Sequence, residues 1–316
     1  MGVAARFSGE GEPYDGLARF SPTRRLPQWT GKVRLVQEHL ADPLKWTRPR
    51  RVFVNSMSDL FHEKLTDDEI AAVFGVMASA PKHTFQILTK RAKRMNEWFE
   101  KFAQGGGASQ SIRAALAAGR FVQDKRINGC HGDKIAPWPL PNVWLGVSVE
   151  HQKAADERID DVIYTPAAVR FISYEPALGP VDFSKWIPNN ERGYCTVCGC
   201  PWAYRERKTA KSHDCPPGFH DHALHWIIVG GESGPRARPF DIAWARDVAK
   251  QCRTAGIACF IKQLGADPHD SSKSGDLESE SRIALKDKKG GDTTEWPKDV
   301  PRMREFPREQ YAGAAP

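Results

Sequence analysis

The sequence predicts an α/β fold of the (β/α) barrel type, and three observations point to it. Six short runs are nearly continuous in β-branched and aromatic residues, amphipathic stretches separate most of them, and each run turns polar where it ends. The runs are RVFVN (51–55), TFQILT (84–89), VWLGVSV (143–149), VRFISY (169–174), WIIVGG (226–231) and ACFIKQ (258–263). Such unbroken apolarity suits strands covered on both faces. The intervening helices are TDDEIAAVFGVMASA behind a Thr66 cap, RAKRMNEWFEKFA, HQKAADERIDDVIY, and FDIAWARDVAKQCRTAG with Gly256 as C-cap. Alternation of strand and helix makes the sheet parallel.

The chain has 316 residues, 40% hydrophobic and 27% charged, enough for one large or two ordinary domains and unlike disordered, collagenous or miniprotein chains. No apolar run approaches the roughly eighteen residues of a membrane span, and the first residues lack the apolar centre of a signal peptide. The expectation is a soluble, cytoplasmic protein with no membrane partner. A net charge of +7 favours a polyanion without demanding one. The barrel is expected over 1–265, interrupted by a Gly-rich insertion at 105–141 and a Cys/His-rich one at 182–225. A polar linker and tail fill 266–316, flexible except where Trp296 and Phe306 could anchor it to the body.

Parallel barrels keep their chemistry at the carboxyl ends of strands. Those ends supply Asn55, Ser56, Ser58, Asp59 and His62; Thr89, Lys90 and Arg91; Ser148 and Glu150; Ser173 and Glu175; Glu232 and Ser233; Lys262 and Gln263. Strands must become polar where they meet solvent, but six ends out of six exceed that requirement. The candidates for catalysis are Asp59, Lys90, Arg91, Glu150, Glu175 and Lys262, a ring of carboxylates and amines able to hold a charged ligand. In IIVGGESGPRARP two glycines would let the backbone approach a ligand while Glu232 accepts from an amine or hydroxyl. The segment is neither a GxGxxG fingerprint nor a P-loop, and a plain turn with solvated Arg236 and Arg238 is the competing reading.

Four of the seven cysteines fall between Cys195 and Cys215, a distribution that suits metal ligation better than a secreted disulfide framework. Structural zinc on Cys195, Cys198, Cys215 and His213 is expected, with Cys200, His220 or His222 as alternatives for the fourth position. Buried thiols with surface histidines, a redox dithiol and an iron–sulfur cluster are the competing assignments.

In series, RVFVNSMSDLFHE, HTFQILTKRAKRM, PLPNVWLGVSVEHQKAADERI, TPAAVRFISYEPALGPVD, WIIVGGESGPRARP, FIKQLG and KDKKGGDTTEWP resemble the phage gene-product-37/gene-product-68 family over nearly the whole chain. That family resembles radical S-adenosylmethionine (SAM) proteins with a partial or near-complete (β/α) barrel. The resemblance implies a cofactor site in which Glu232 and Ser233 meet the ligand's amino group while Asn55, Ser148 and Ser173 reach its ribose or carboxylate. It also implies a phosphate-binding handle of Lys90, Arg91 and Arg236, and, by kinship with a DNA-photoproduct repair lyase, a nucleic-acid substrate. Family members open with a strand and a segment of cysteines that look like [4Fe–4S] ligands. This sequence starts at Met1 without them, so a chain truncated at its N-terminus and lacking the cluster is expected, with SAM and [4Fe–4S] present only where that segment exists.

Three functions follow from this reading. One is a radical-SAM-like protein acting on a nucleic-acid or phosphate-bearing substrate. Another is a non-catalytic zinc-containing barrel that binds nucleic acid or a partner protein. The last is a metal-dependent hydrolase using Asp59, Glu150 and Glu175.

Overall fold

The computed structural model describes residues 4, 6–12, 14–20, 27–55, 57–104, 109–188, 223–273 and 282–307. In chain order the elements are β1 (Ala18–Phe20), β2 (Pro27–Trp29), α1 (Gln37–Leu40), α2 (Asp42–Lys45), β3 (Arg51–Val54), α3 (Asp67–Ala78), β4 (Thr84–Thr89), α4 (Ala92–Gln104) and α5 (Gln110–Phe121). There follow β5 (Cys130–His131), β6 (Lys134–Ile135), β7 (Val143–Ser148), α6 (Gln152–Tyr164), β8 (Val169–Tyr174), β9 (Trp226–Gly230), β10 (Phe240–Asp241), α7 (Ile242–Ala255), β11 (Ala258–Gln263) and β12 (Pro268–His269). All six runs chosen from the sequence are strands. Their hydrogen-bonded order, β3-β4-β7-β8-β9-β11, repeats their order in the chain. The result is a mixed α/β fold whose sheet, among the described residues, follows chain order without a switch point of the doubly wound kind.

Two compact units divide the chain: Met1–Phe85 with Gly106–Ala136, and Gln86–Gly105 with Pro137–Pro316. In the first, Thr66 and Glu69 close a full capping box at the start of α3 and satisfy backbone donors at its open end. Ile70, Phe74 and Met77 are buried. Helix α5 crosses so close to α3 that a Cβ on Gly75 would lie 2.1 Å from the Ala114 carbonyl oxygen. Its alanines at 114, 115, 117 and 118 are all buried, which is what so near an approach requires. The flanking glycines make this helix read as insertion in the sequence, whereas the alanine-rich core of the segment is helical.

In the second unit β7 and β8 are buried at every residue, as strands covered on both faces must be. The pairs β7–β8, β8–β9 and β9–β11 are parallel. Gly146 on β7 leaves room for the Phe171 ring, which a Cβ would meet at 2.6 Å. Phe171 packs there with Trp144, Val169 and Trp226. Asp241 caps α7 through the Ala243 amide at 2.9 Å, and Gly256 ends it in the left-handed conformation at φ 68°.

The stretch that looks like a tail completes this unit over 282–307. The Ile261 amide donates to Met303 O at 2.9 Å and the Glu305 amide to Cys259 O at 3.0 Å, so the chain covers the outer edge of β11. Trp296 is buried and Phe306 packs on Trp226 with ring centroids 5.1 Å apart. Among the described residues no helix is long and apolar enough to cross a membrane. The proposed zinc ligands Cys195, Cys198, His213 and Cys215 lie outside the described residues.

Candidate functional site

Nine of the candidate site residues, those from Lys90 to Lys262, fall in the second unit, while Asn55 and Asp59 belong to the first. In the first unit Asn55 follows β3 with φ 66°, a left-handed conformation that asparagine tolerates better than most residues. Asp59 accepts from the Phe61 amide at 2.9 Å. Both line a largely apolar cleft with Trp46, Val54 and Leu60.

In the second unit the ends of β7, β8 and β9 each present a carboxylate, and each carboxylate is held by a cation. Glu150, just past β7, has its side chain 11% exposed and binds Lys90 from the end of β4 and Arg158 from α6, the latter at 3.0 Å. Burial pushes the Glu150 carboxyl up, but Lys90 and Arg158 together outweigh it and hold the group below its ordinary value. Arg158 also donates to Ser148 O at 2.7 Å, which ties the first turns of α6 to the strand end. Ser148 and Ser173 are buried neighbours in the β7–β8 register.

Glu175, past β8, accepts from Lys262 Nζ at 2.9 and 3.0 Å and from Gln263 Nε2 at 3.3 Å. Gln263 Nε2 also donates to Gly231 O at 2.9 Å. Glu232, past β9, is bound by Arg238 Nε at 2.7 Å and by the Arg238 amide at 3.0 Å. The Arg238 guanidinium draws the Glu232 carboxyl below its ordinary value. Ser233, Lys90 and Arg236 are exposed.

The glycine pair has a different cause from the one its sequence suggests. A Cβ on Gly230 would lie 3.1 Å from the Glu175 carboxyl carbon, and one on Gly231 would lie 2.4 Å from Leu264 O. The space beside both glycines is taken by the protein's own strand ends, so they are needed for packing of β8, β9 and β11. Arg238, a solvated charge in the competing reading of this turn, is the partner of Glu232.

The family model for a protein of unknown function, DUF5131, matches residues 2–295. The chain belongs to the DUF5131 family. No curated protein and no solved structure matches it.

The donor set of this DUF5131 chain bears on the groups its sequence suggests. Cys130, Cys252 and Cys259 are free thiols, one in the first unit and two in the second. Cys252 and Cys259 are buried against each other, and their contact with burial pushes the Cys252 thiol far above its ordinary value. Protonated, buried thiols are poor metal ligands. Among the described residues no three His, Cys, Asp or Glu side chains form a metal-binding group. Arg158 was missed by sequence reasoning, and the partnership of Arg238 with Glu232 was not read from it. Arg158 had one available signal: it lies eight residues beyond Glu150, two helical turns along a helix that starts at the strand end.

Proposed function

We propose that the strand ends of the second unit bind a SAM-type ligand and present it to a phosphate-bearing nucleic-acid component, on a (β/α) barrel of the radical-SAM type. The observation that carries this reading is the set of three carboxylates at consecutive strand ends, each neutralised by a cation whose head is partly exposed. A ligand with an amino-acid end brings one ammonium and one carboxylate, and such a pair exchanges with an existing ion pair at no change in net charge. Glu232 takes the ammonium, and the Arg238 guanidinium it releases takes the carboxylate. Ser148 and Ser173 offer hydroxyls to a ribose. SAM supplies group-transfer or radical chemistry when bound; the residues here bind it, orient it and neutralise its charges.

The resemblance to the phage gene-product-37/gene-product-68 family supports the same ligand. The described residues offer no thiolate triad for a [4Fe–4S] cluster, so no redox role is assigned to them. Zinc on Cys195, Cys198, His213 and Cys215 belongs to this reading as a staple of the 182–225 insertion.

Carboxyls held low by neighbouring cations are poor general bases. That counts against a hydrolase built on Glu150 and favours, as the second reading, a zinc-containing barrel that binds nucleic acid or a partner protein without chemistry.

Titration calorimetry with SAM decides between the two. The wild type is expected to bind it, with Glu232→Gln weakening affinity at least tenfold, a loss of about 1.4 kcal/mol. A wild type that does not bind SAM overturns the first reading.

A further inference from the structure

The motif KDKKGGDTTEW, outside every role assigned so far, is built onto the mouth just described. Gly290 O accepts from the Leu264 amide at 2.8 Å and Lys289 O from the Gly265 amide at 3.1 Å, directly past the end of β11. Ala266 in turn donates to Glu232 O at 2.8 Å. Gly290 has φ 65°, and a Cβ there would lie 2.6 Å from Gly265 O, so no other residue fits. The buried Trp296 pins the loop from behind through Nε1 to Gly290 O at 2.9 Å.

The carboxylates of this loop are engaged by its own hydrogen-bond donors. Asp287 accepts from the amides of Lys289, Gly291 and Asp292 at 3.0, 2.6 and 3.0 Å. Glu295 accepts from the amides of Lys286 and Asp287 at 2.6 and 3.1 Å, and Asp292 from Thr294 N and Oγ1 at 2.9 and 2.7 Å. Those backbone donors hold the Asp287 carboxyl below its ordinary value. All three carboxylates thus accept from the loop's own donors. Lys286, Lys288 and Lys289 are exposed, and none of them forms an ion pair among the described residues. A loop whose carboxylates are engaged by its own donors, while three lysines stay exposed, is a surface able to contact phosphate.

We propose that loop 286–292 is the phosphate-contacting rim by which this mouth holds a single-stranded polynucleotide. The inference rests on the reading that the mouth takes a phosphate-bearing substrate, and it supplies the polymer and the residues that grip it. A base in a duplex must be unpaired and unstacked to reach the strand ends, and a single strand has no base pair to break.

The test is fluorescence anisotropy of a labelled twelve-nucleotide DNA and its RNA counterpart across a salt series, on the full chain. Three variants are compared: Lys286→Ala/Lys288→Ala/Lys289→Ala, a charge-matched control Lys93→Ala/Lys153→Ala/Lys250→Ala, and Glu232→Gln. The loop triple is expected to weaken binding at least tenfold and to lower the log–log salt slope by about 2, since each phosphate neutralised on a single strand contributes about 0.7. The control triple is expected to stay within twofold of wild type. Equal losses in both triples, no binding by the wild type, or tighter binding of a duplex of the same length overturns the proposal. SAM calorimetry on the loop triple keeps the two readings apart: loss of polynucleotide with SAM binding intact supports the rim, and a wild type that binds polynucleotide through these lysines but no SAM supports the rim while the ligand assignment fails.

Discussion

Two carboxylates of the second unit each hold two cationic contacts, and they illustrate different uses of an ion pair. Asp270 has its side chain 1% exposed; both its oxygens take Arg246, at 2.9 and 2.8 Å, and Ser272 Oγ adds a bond at 2.6 Å. Arg246 is fixed further by Asp299 at 2.5 Å. Glu150 is nearly as buried, but one of its partners, Lys90, has a side chain 57% exposed. The first arrangement holds a buried carboxylate through two bonds from one guanidinium and ties α7 to the chain beyond β12. The second has one partner that can be drawn off without unfolding anything. Exchangeability of the cation, rather than burial of the anion, is what the proposed binding role requires and a staple does not.

The largest effect expected is at the staple. Arg246→Met leaves Asp270 buried without its guanidinium and should cost about 3 kcal/mol, the usual penalty for removing one partner of a buried pair. Denaturant unfolding should show the midpoint fall; a midpoint at the wild-type value would mean that Asp270 is not in the buried pair described here.

Gly231→Ala should come next. A Cβ 2.4 Å from Leu264 O forces backbone to move, with a cost of about 2 kcal/mol typical of overpacking. SAM affinity should fall with it, because the strand ends shift together. Retained stability would return the glycine to the role its sequence suggested, as clearance for a ligand.

Acid sharpens the comparison further. Asp270 is drawn down mainly by its bond to Arg246, and Glu150 is held low by Lys90 and Arg158 against the opposing effect of burial; their ordinary values are 3.8 and 4.5. Depressed carboxyls contribute stability that is complete above those ordinary values and is lost as pH falls below them, because the unfolded chain takes up protons first. Wild-type stability should therefore decline below about pH 4.5, and Arg246→Met should decline less steeply. Parallel pH profiles for the two proteins would remove Asp270 from the account.

The smallest change in stability is expected for Lys90→Met, under about 1 kcal/mol because the ammonium is solvated. Its ligand and polynucleotide affinities should nevertheless change, which chemical denaturation and anisotropy on the same sample would register. A loss of stability as large as that of Arg246→Met would erase the distinction between the two pairs.

Local pattern was enough to read much of this protein. Strands and helices were legible because apolar runs, the Thr66 cap and the C-cap Gly256 act within a few residues of where they stand. The carboxylates Glu150, Glu175 and Glu232 were legible as site candidates because each follows a recognisable strand. Their partners were not: Lys262 lies 87 residues beyond Glu175, and only parallel pairing through β9 brings the two together. The glycines of GGES read as room for a ligand because a sequence shows that a side chain is missing and not what fills its place. KDKKGGD read as tail because it has almost no apolar residues; it is ordered by backbone hydrogen bonds to the end of β11 and by carboxylates that accept from its own amides. Sequence alone determined the elements and the chemical types at their ends. Tertiary structure decided which charge meets which, because an ion pair is set by distance in space and a one-dimensional pattern carries no such distance.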